Sequence, residues 1–263
     1  MCIKSVYSMY KNPKEVNMKY DKLSYLSPTT INLFVRDKSK FILKLAQLDD
    51  FNGNPATLRG QAVEKAILQS VFYRHKEIEE LIQDAVTYFN SELLGLSQKQ
   101  DDKKVQQERK AIADFISIGV PVYRRIKDVP IDSQGKLEIE LEGVNLPIYG
   151  YYDIAFENHI RDLKTTRSVP MTISHSVQRQ MALYSYATKK DVWVDYVSRS
   201  KYSSKKILDV EKTIEEIIHI CQGIERFCNI SDDIQELASM HHPNFDSWEW
   251  SDDDINNWKK IGV

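Results

Sequence analysis

Three residues in the middle of the chain have side chains that together can bind a metal ion and activate water. Asp153 ends one predicted strand, and Asp162 and Lys164 lie two positions apart on the next. Because alternate residues of a strand face the same side, Asp162 and Lys164 share a face while Leu163 points toward the core. If the two strands pair through a short turn at 157–159, Asp153 lies beside Asp162.

Two carboxylates held side by side repel each other unless a cation lies between them. At about 4 Å this repulsion is roughly 4 kcal/mol for an effective dielectric constant near 20. Oxygen ligands without nearby sulfur or imidazole favour Mg²⁺ or Mn²⁺. A lysine beside the metal can orient water and offset charge on a phosphate, so the three residues indicate phosphodiester hydrolysis. The alternative is an exposed Asp162–Lys164 ion pair, worth about 0–1 kcal/mol.

The elements that must position these residues change in type along the chain. Residues 27–118 are mostly helical by their apolar spacing, beginning with Ser27 as a cap and Pro28 as the first helical residue. Strand-like patterns follow at 122–129, 137–141, 147–156 and 160–164, with a turn at Ser133-Gln134-Gly135 between the first two. A helix at 174–188, a strand at 192–197 and one or two helices at 213–240 complete the order.

This order predicts an α/β protein with a single domain spanning residues 1–263. Its first part, residues 1–120, is mainly helical and carries Glu64. Residues 121–210 form the sheet and the helix after the Asp162 strand. Residues 211–263 form a C-terminal helix and an acidic, aromatic tail.

Five short motifs occur in an order that is known from one nuclease family. They are a helix start at 26–34, RGQAVE at 59–64, G-x-x-D at 149–153, D-x-K-T at 162–165 and Q-x-x-x-Y at 180–184. In these motifs the chain resembles the PD-(D/E)xK nuclease superfamily, specifically its RecB-like exonuclease branch, which includes phage recombination exonucleases and nucleases of CRISPR adaptation. The resemblance implies a restriction-endonuclease-like core, a central mixed β-sheet flanked by helices in the order α-β-β-β-α-β. A helical N-terminal elaboration and a C-terminal helix would complete it.

The resemblance also implies roles for residues at the matching positions. Asp153 and Asp162 would be metal ligands and Lys164 the catalytic lysine, with the backbone carbonyl of Leu163 also reaching the metal. Glu64 takes the position of the His or Glu that binds a second metal or its water. The alternative for Glu64 is a solvent-facing glutamate on a helix.

Further residues are implied to bind DNA or to support the catalytic group. Gln180 and Tyr184 share one helix face, which in the family borders the active site, although Tyr184 also fits a core position. Arg167 and Arg179 would contact the phosphate backbone. His175 begins the same helix and either contacts a phosphate or caps the helix.

The charge of the chain is unevenly distributed. Its net charge is −2, yet residues 161–212 hold 11 Lys or Arg against 5 Asp or Glu. We expect this basic stretch to follow a DNA backbone without reading sequence. The alternative is a solvated surface with charges clustered by chance.

These observations together predict a Mg²⁺- or Mn²⁺-dependent deoxyribonuclease. The resemblance implies an exonuclease of phage type that processes DNA ends for recombination or repair, with a single-strand annealing protein as a natural partner. Two alternatives remain open: a catalytically silent DNA-binding or scaffold protein on the same fold, and an endonuclease. The oligomeric state is not predicted.

The cysteines and apolar runs exclude other classes of protein. The chain has three cysteines, Cys2, Cys221 and Cys228, and none in the ending 242–251, where many relatives bind a [4Fe–4S] cluster. We therefore expect no iron–sulfur cluster, and we expect Trp248, Trp250 and Trp258 to pack the tail instead. No apolar run approaches the roughly 18 residues of a membrane span. The expected location is the cytoplasm of a bacterium or of a phage-infected cell.

Overall fold

The computed structural model describes residues 23–48, 53–96, 101–247 and 249–262. The helices among them are α1 Pro28–Arg36, α2 Lys38–Leu45, α3 Pro55–Phe72, α4 Ile78–Leu94, α5 Asp102–Arg124, α6 His175–Thr188, α7 Val210–Cys228, α8 Ile234–Ser239 and α9 Asp252–Ile261. The strands are β1 Pro130–Ile139, β2 Ile148–Phe156, β3 His159–Thr165, β4 Asp191–Val197 and β5 Tyr202–Lys206.

The strands of the described part form one mixed sheet in the order β1-β2-β3-β4-β5. Neighbouring strands are antiparallel except β3 and β4, which are parallel. A parallel pair needs a crossover connection, and α6 supplies it between these two strands. The chain is therefore an α/β protein, as its sequence predicts.

Helices cover both faces of the sheet. One buried cluster joins helices α1, α2 and α6 to α9 to the sheet through residues that include Ile160 of β3. A second cluster joins α3 to α5 to the opposite face, and it includes Leu163 of the same strand. Leu163 is thus buried on the side away from Ile160, as strand alternation predicts. Strand β3, which carries Asp162 and Lys164, is enclosed from both sides.

The start of α1 is attached to strand β2. Ser27 caps the helix by accepting a hydrogen bond from the Thr30 amide at 3.1 Å, and Pro28 follows it, as predicted. The Leu26 amide donates to the Pro147 carbonyl at 2.8 Å, and the Tyr149 amide donates to the Leu26 carbonyl at 2.9 Å. These bonds hold the N-terminal end of α1 beside the G-x-x-D strand.

Two predicted elements between the helical part and the sheet are wrong. The strand predicted at 122–129 begins inside α5, which continues to Arg124 even though it contains Pro121. Buried Val120 and Tyr123 hold this turn of helix in the core, so packing overrides the local β-branched pattern. The turn predicted at 133–135 lies within β1, where Gln134 adopts a φ of 53°.

The C-terminal region is more regular than its composition suggests. The helical stretch predicted at 213–240 is divided into α7 and α8, and the tail contains α9. Trp250 donates from Nε1 to Asp37 Oδ2 at 2.9 Å, and Trp258 is buried, so both pack the tail onto the body as expected. Trp248 and Cys2 lie outside the described residues.

None of the described helices combines the length and apolar character needed to span a membrane.

Candidate active site

Asp153 and Asp162 lie on neighbouring antiparallel strands. The pairing of β2 with β3 aligns Ile154 with Arg161, and the same register carried one residue further aligns Asp153 with Asp162. At this point Asp153 Oδ2 accepts a hydrogen bond from the Leu163 amide at 2.5 Å. The carboxylate of the G-x-x-D motif is therefore held directly against the D-x-K strand.

The Asp162 carboxylate is buried and has few partners. Its side chain is 1% exposed, and Oδ2 lies 2.6 Å from Lys164 Nζ. Oδ1 has no hydrogen-bond partner among the described residues, and Oδ2 is paired with the Lys164 ammonium group. Buried carboxylate oxygens are seldom left in this state, and their free lone pairs are suited to a cation.

Glu64 reaches this region because α3 passes close to the end of β3. A Cβ at Gly60 would lie 3.2 Å from Thr165 Oγ1, so the glycine permits the close approach. Glu64 is one helical turn further along the same face. Its Oε1 lies 3.4 Å from Gln134 Nε2, at the long end of the hydrogen-bond range. Glu64 therefore faces the sheet and is partly buried.

The four charged groups influence one another's ionisation. Burial raises the pKa of each carboxyl group, and the charges of Asp162 and Glu64 raise that of Asp153 further, well above its usual range. Burial by itself would lower the pKa of Lys164, but Asp162 and Asp153 outweigh it and raise that pKa. One lysine faces three carboxyl groups, so the ionised site carries an excess of negative charge that a divalent cation would balance.

Gln180 and Tyr184 are brought together beside β2. Gln180 Nε2 donates to Tyr184 Oη at 2.8 Å, and the tyrosine ring packs against Gly150. Tyr184 is 2% exposed, so it is a core residue, and its hydroxyl also interacts electrostatically with Asp162 and Lys164. Tyr184 therefore occupies a core position, and its predicted role beside the active site stays a prediction.

Of the other predicted DNA-contacting residues, one is engaged in packing and two are exposed. Arg179 is buried, and it donates to Asn32 Oδ1 and to Glu216 Oε1, both at 2.8 Å. Its guanidinium links α6 to α1 and α7, which makes it a packing residue rather than a phosphate contact. Arg167 and His175 are exposed, with His175 at the first position of α6 and Ser174 as the cap.

The basic stretch 161–212 is neutralised only in part within the structure. At least five of its cations form ion pairs with carboxylates: Arg161, Lys164, Arg179, Arg199 and Lys206. These five side chains are less suited to phosphate contacts, and the expectation that the stretch follows a DNA backbone stays a prediction for the others.

Some residues that shape the site were missed by reading the sequence. Gln134 contacts Glu64 from a left-handed position inside β1; the Ser133-Gln134-Gly135 pattern signals irregular backbone here but not the contact. Asp195 is fully buried and pairs with Arg161 Nη1 at 3.0 and 3.1 Å on the neighbouring strand. An aspartate inside the apolar run VWVDYV was the available signal for this pair.

The carboxylates of Asp153 and Asp162 suit one hard cation, such as Mg²⁺, whose remaining ligands are water molecules. Among the described residues, no three or more His, Cys, Asp or Glu side chains converge as a complete metal-binding group. Mg²⁺ usually retains several waters and uses one or two protein carboxylates, so Asp153 and the unpaired Oδ1 of Asp162 match its requirements.

Comparison with known proteins leaves the family open. No protein-family model and no curated protein matches the chain. Among solved structures, one titled "Crystal structure of SSO0001" matches with 13% identity and a TM-score of 0.34. The match covers 80% of this chain and 98% of that one.

Proposed function

We propose that the chain is a metal-dependent deoxyribonuclease of the PD-(D/E)xK type. The observation that carries this proposal is the Asp162 carboxylate, which is buried, has one oxygen without a hydrogen-bond partner and the other paired with Lys164, and belongs to the strand next to that of Asp153. A purely structural ion pair has no need for a second buried carboxylate on the next strand, since the added repulsion costs stability. The arrangement is better suited to a cation and a phosphate.

The fold proposed for this function is the restriction-endonuclease-like core. After α5 the chain runs β1, β2, β3, α6 and β4, which has the expected order α-β-β-β-α-β. The order of elements supports the assignment together with the positions of the motifs on β2, β3 and α6.

Each residue of the site has a proposed part in hydrolysis. Asp153, Asp162 and the carbonyl of Leu163 would hold Mg²⁺ or Mn²⁺, and Glu64 would bind a second metal ion or its water. The ion would supply Lewis-acid stabilisation of phosphate charge and favour ionisation of the attacking water. Lys164, cationic because of its acidic neighbours, would orient that water and offset the charge that develops on the phosphate.

The biological setting is part of the same proposal and rests on the motif resemblance. We propose an exonuclease that processes DNA ends in recombination or repair in the cytoplasm, together with a single-strand annealing protein. We propose that it has no iron–sulfur cluster, so protein purified without oxygen should contain no stoichiometric iron.

The proposal is tested by incubating end-labelled linear DNA and covalently closed circular DNA with the protein. Linear DNA should be degraded with Mg²⁺ or Mn²⁺ and left intact in excess chelator. Asp153→Ala, Asp162→Ala and Lys164→Ala should each abolish cleavage while DNA binding persists. Asp246→Ala, which removes an exposed carboxylate of the tail, is the matched control and should cleave normally.

Other results would select the alternatives. Cutting of circular DNA would identify an endonuclease. Parent protein that binds DNA but cleaves neither substrate with either metal would be a silent binding protein. Normal cleavage by Asp162→Ala would refute the assignment of the active site.

A further inference from the structure

A groove of about 860 Å³ opens between the start of α1 and strand β2. It is lined by the residues before α1, by the first turn of that helix, and by residues 149–151 of β2. Gly150 and Gln180 belong both to this groove and to the surroundings of the candidate active site. A ligand in the groove would therefore lie next to the G-x-x-D motif.

The lining of the groove is suited to an anion, although the chain as a whole is slightly acidic. Its described lining residues include Lys136 and several hydroxyl groups but no Asp or Glu. The N-terminal end of α1 also opens into it, and helix N-termini carry a partial positive charge. This positive character contrasts with the net charge of −2.

Three tyrosines provide flat apolar surface in the same groove. The rings of Tyr25 and Tyr149 are 5.4 Å apart, and Lys136 Nζ lies 4.0 Å from the centre of the Tyr149 ring. Tyr149 also donates to Glu138 Oε1 at 3.2 Å, which fixes the orientation of its ring. Tyr25 and Tyr151 are 50% and 58% exposed, an unusual state for two large rings beside one cleft.

The surroundings of the groove hold it in shape without a ligand. The two backbone hydrogen bonds of Leu26 attach the Tyr25 segment to β2, and the sheet register places Lys136 opposite Tyr151. The tyrosines and the lysine therefore come from segments that are fixed to one another, so little ordering would be required when a ligand binds.

We propose that this groove binds an unpaired DNA strand beside the active site, an inference that rests on the nuclease function proposed above. Bases of a single strand can stack on exposed rings, whereas a duplex keeps its base faces covered. Lys136 would contact a phosphate, and the partial positive charge at the N-terminal end of α1 would favour its binding. Two of the other predicted phosphate contacts are less suitable, because Arg179 is buried against Glu216 and Arg59 is buried against Glu108.

The test measures fluorescence anisotropy of labelled oligo(dT) and of a labelled blunt duplex in excess chelator, so binding is read without cleavage. Tyr25→Ala and Tyr151→Ala should each weaken oligo(dT) binding about tenfold, which is within the range for loss of one stacked base. Tyr25→Phe and Tyr151→Phe should retain parent affinity. Lys136→Ala should flatten the log–log salt dependence by about 0.7.

Matched controls lie outside the groove. Tyr73 is 51% exposed at the end of α3, and Lys104 is exposed on α5. Tyr73→Ala and Lys104→Ala should bind within about twofold of the parent. All variants should melt at the parent temperature, because the substituted side chains are exposed or lie in an open groove.

The outcomes separate this proposal from the proposed activity. Cleavage by the parent, with oligo(dT) affinity unchanged in Tyr25→Ala, Tyr151→Ala and Lys136→Ala, would overturn the groove and leave the nuclease standing. Equal loss of duplex and oligo(dT) affinity in these variants would overturn the preference for an unpaired strand. Groove-dependent oligo(dT) binding without any cleavage would support the groove and refute the nuclease.

Discussion

The ring of Tyr184 occupies the space that a side chain at position 150 would need. A Cβ on Gly150 would lie 2.6 Å from Tyr184 Cε1. Tyr184 is fixed in this position by burial and by the hydrogen bond from Gln180 at 2.8 Å. The glycine of the G-x-x-D motif and the tyrosine of the Q-x-x-x-Y motif are therefore parts of one packing contact, three residues along β2 from Asp153.

Gly150→Ala should destabilise the protein because the new methyl group collides with the Tyr184 ring. We expect a loss of about 1–3 kcal/mol in the free energy of unfolding, as for other overpacked cores. Urea denaturation measures this loss of unfolding free energy. In a Tyr184→Leu background the same substitution should cost clearly less. An equal cost in both backgrounds would show that the ring does not cause the loss.

Divalent metal should stabilise the folded protein through Asp153 and Asp162. A ligand present at about 100 times its dissociation constant adds roughly 2.7 kcal/mol to stability, so Mg²⁺ should raise the melting temperature relative to chelator. The rise should vanish in Asp162→Ala and Asp153→Ala and persist in Asp246→Ala. Thermal denaturation monitored by circular dichroism gives this readout without any nuclease substrate. A rise that persists in both site variants would place the metal elsewhere.

The buried Arg161–Asp195 pair should contribute strongly to stability. Asp195 has no exposed surface and also accepts from Tyr202 Oη at 2.8 Å, so removal of the arginine leaves a buried charge with little compensation. Arg161→Ala should cost about 3–5 kcal/mol of unfolding free energy. The exposed pair Arg199–Asp114 is the matched control, and Arg199→Ala should cost less than about 1 kcal/mol. Equal costs in urea denaturation would contradict this difference.

The thiol of Cys221 should make stability fall at alkaline pH. Burial, with a further contribution from Glu225, raises its pKa to about 12. In the unfolded chain a thiol has a pKa of about 8.5, so above that pH the unfolded state loses a proton that the folded state retains. The stability of the parent relative to Cys221→Ala should therefore decrease by up to about 1.4 kcal/mol per pH unit. Urea denaturation in reductant at pH 8 to 10 measures this, and a constant difference would contradict it.

Local patterns were sufficient to predict much of the architecture. The alternation of Asp162, Leu163 and Lys164 predicts which side chain is buried, and the short turn before His159 predicts the β2–β3 hairpin. The Ser27-Pro28 pair predicts the start of α1. Each of these features depends on residues that are close in sequence, so their spacing alone carries the information.

Long-range contacts decided the parts that local patterns did not predict. Arg179 is of a residue type that often contacts DNA, but its guanidinium is paired with Glu216, 37 positions away, and so it serves in packing. Glu64 meets Gln134 across 70 positions, through the close approach at Gly60 and the irregular residue in β1. Whether a cation is paired or a carboxylate is buried depends on which distant elements pack together. The ion pairs within the basic stretch and the groove beside α1 therefore became visible only in the folded chain.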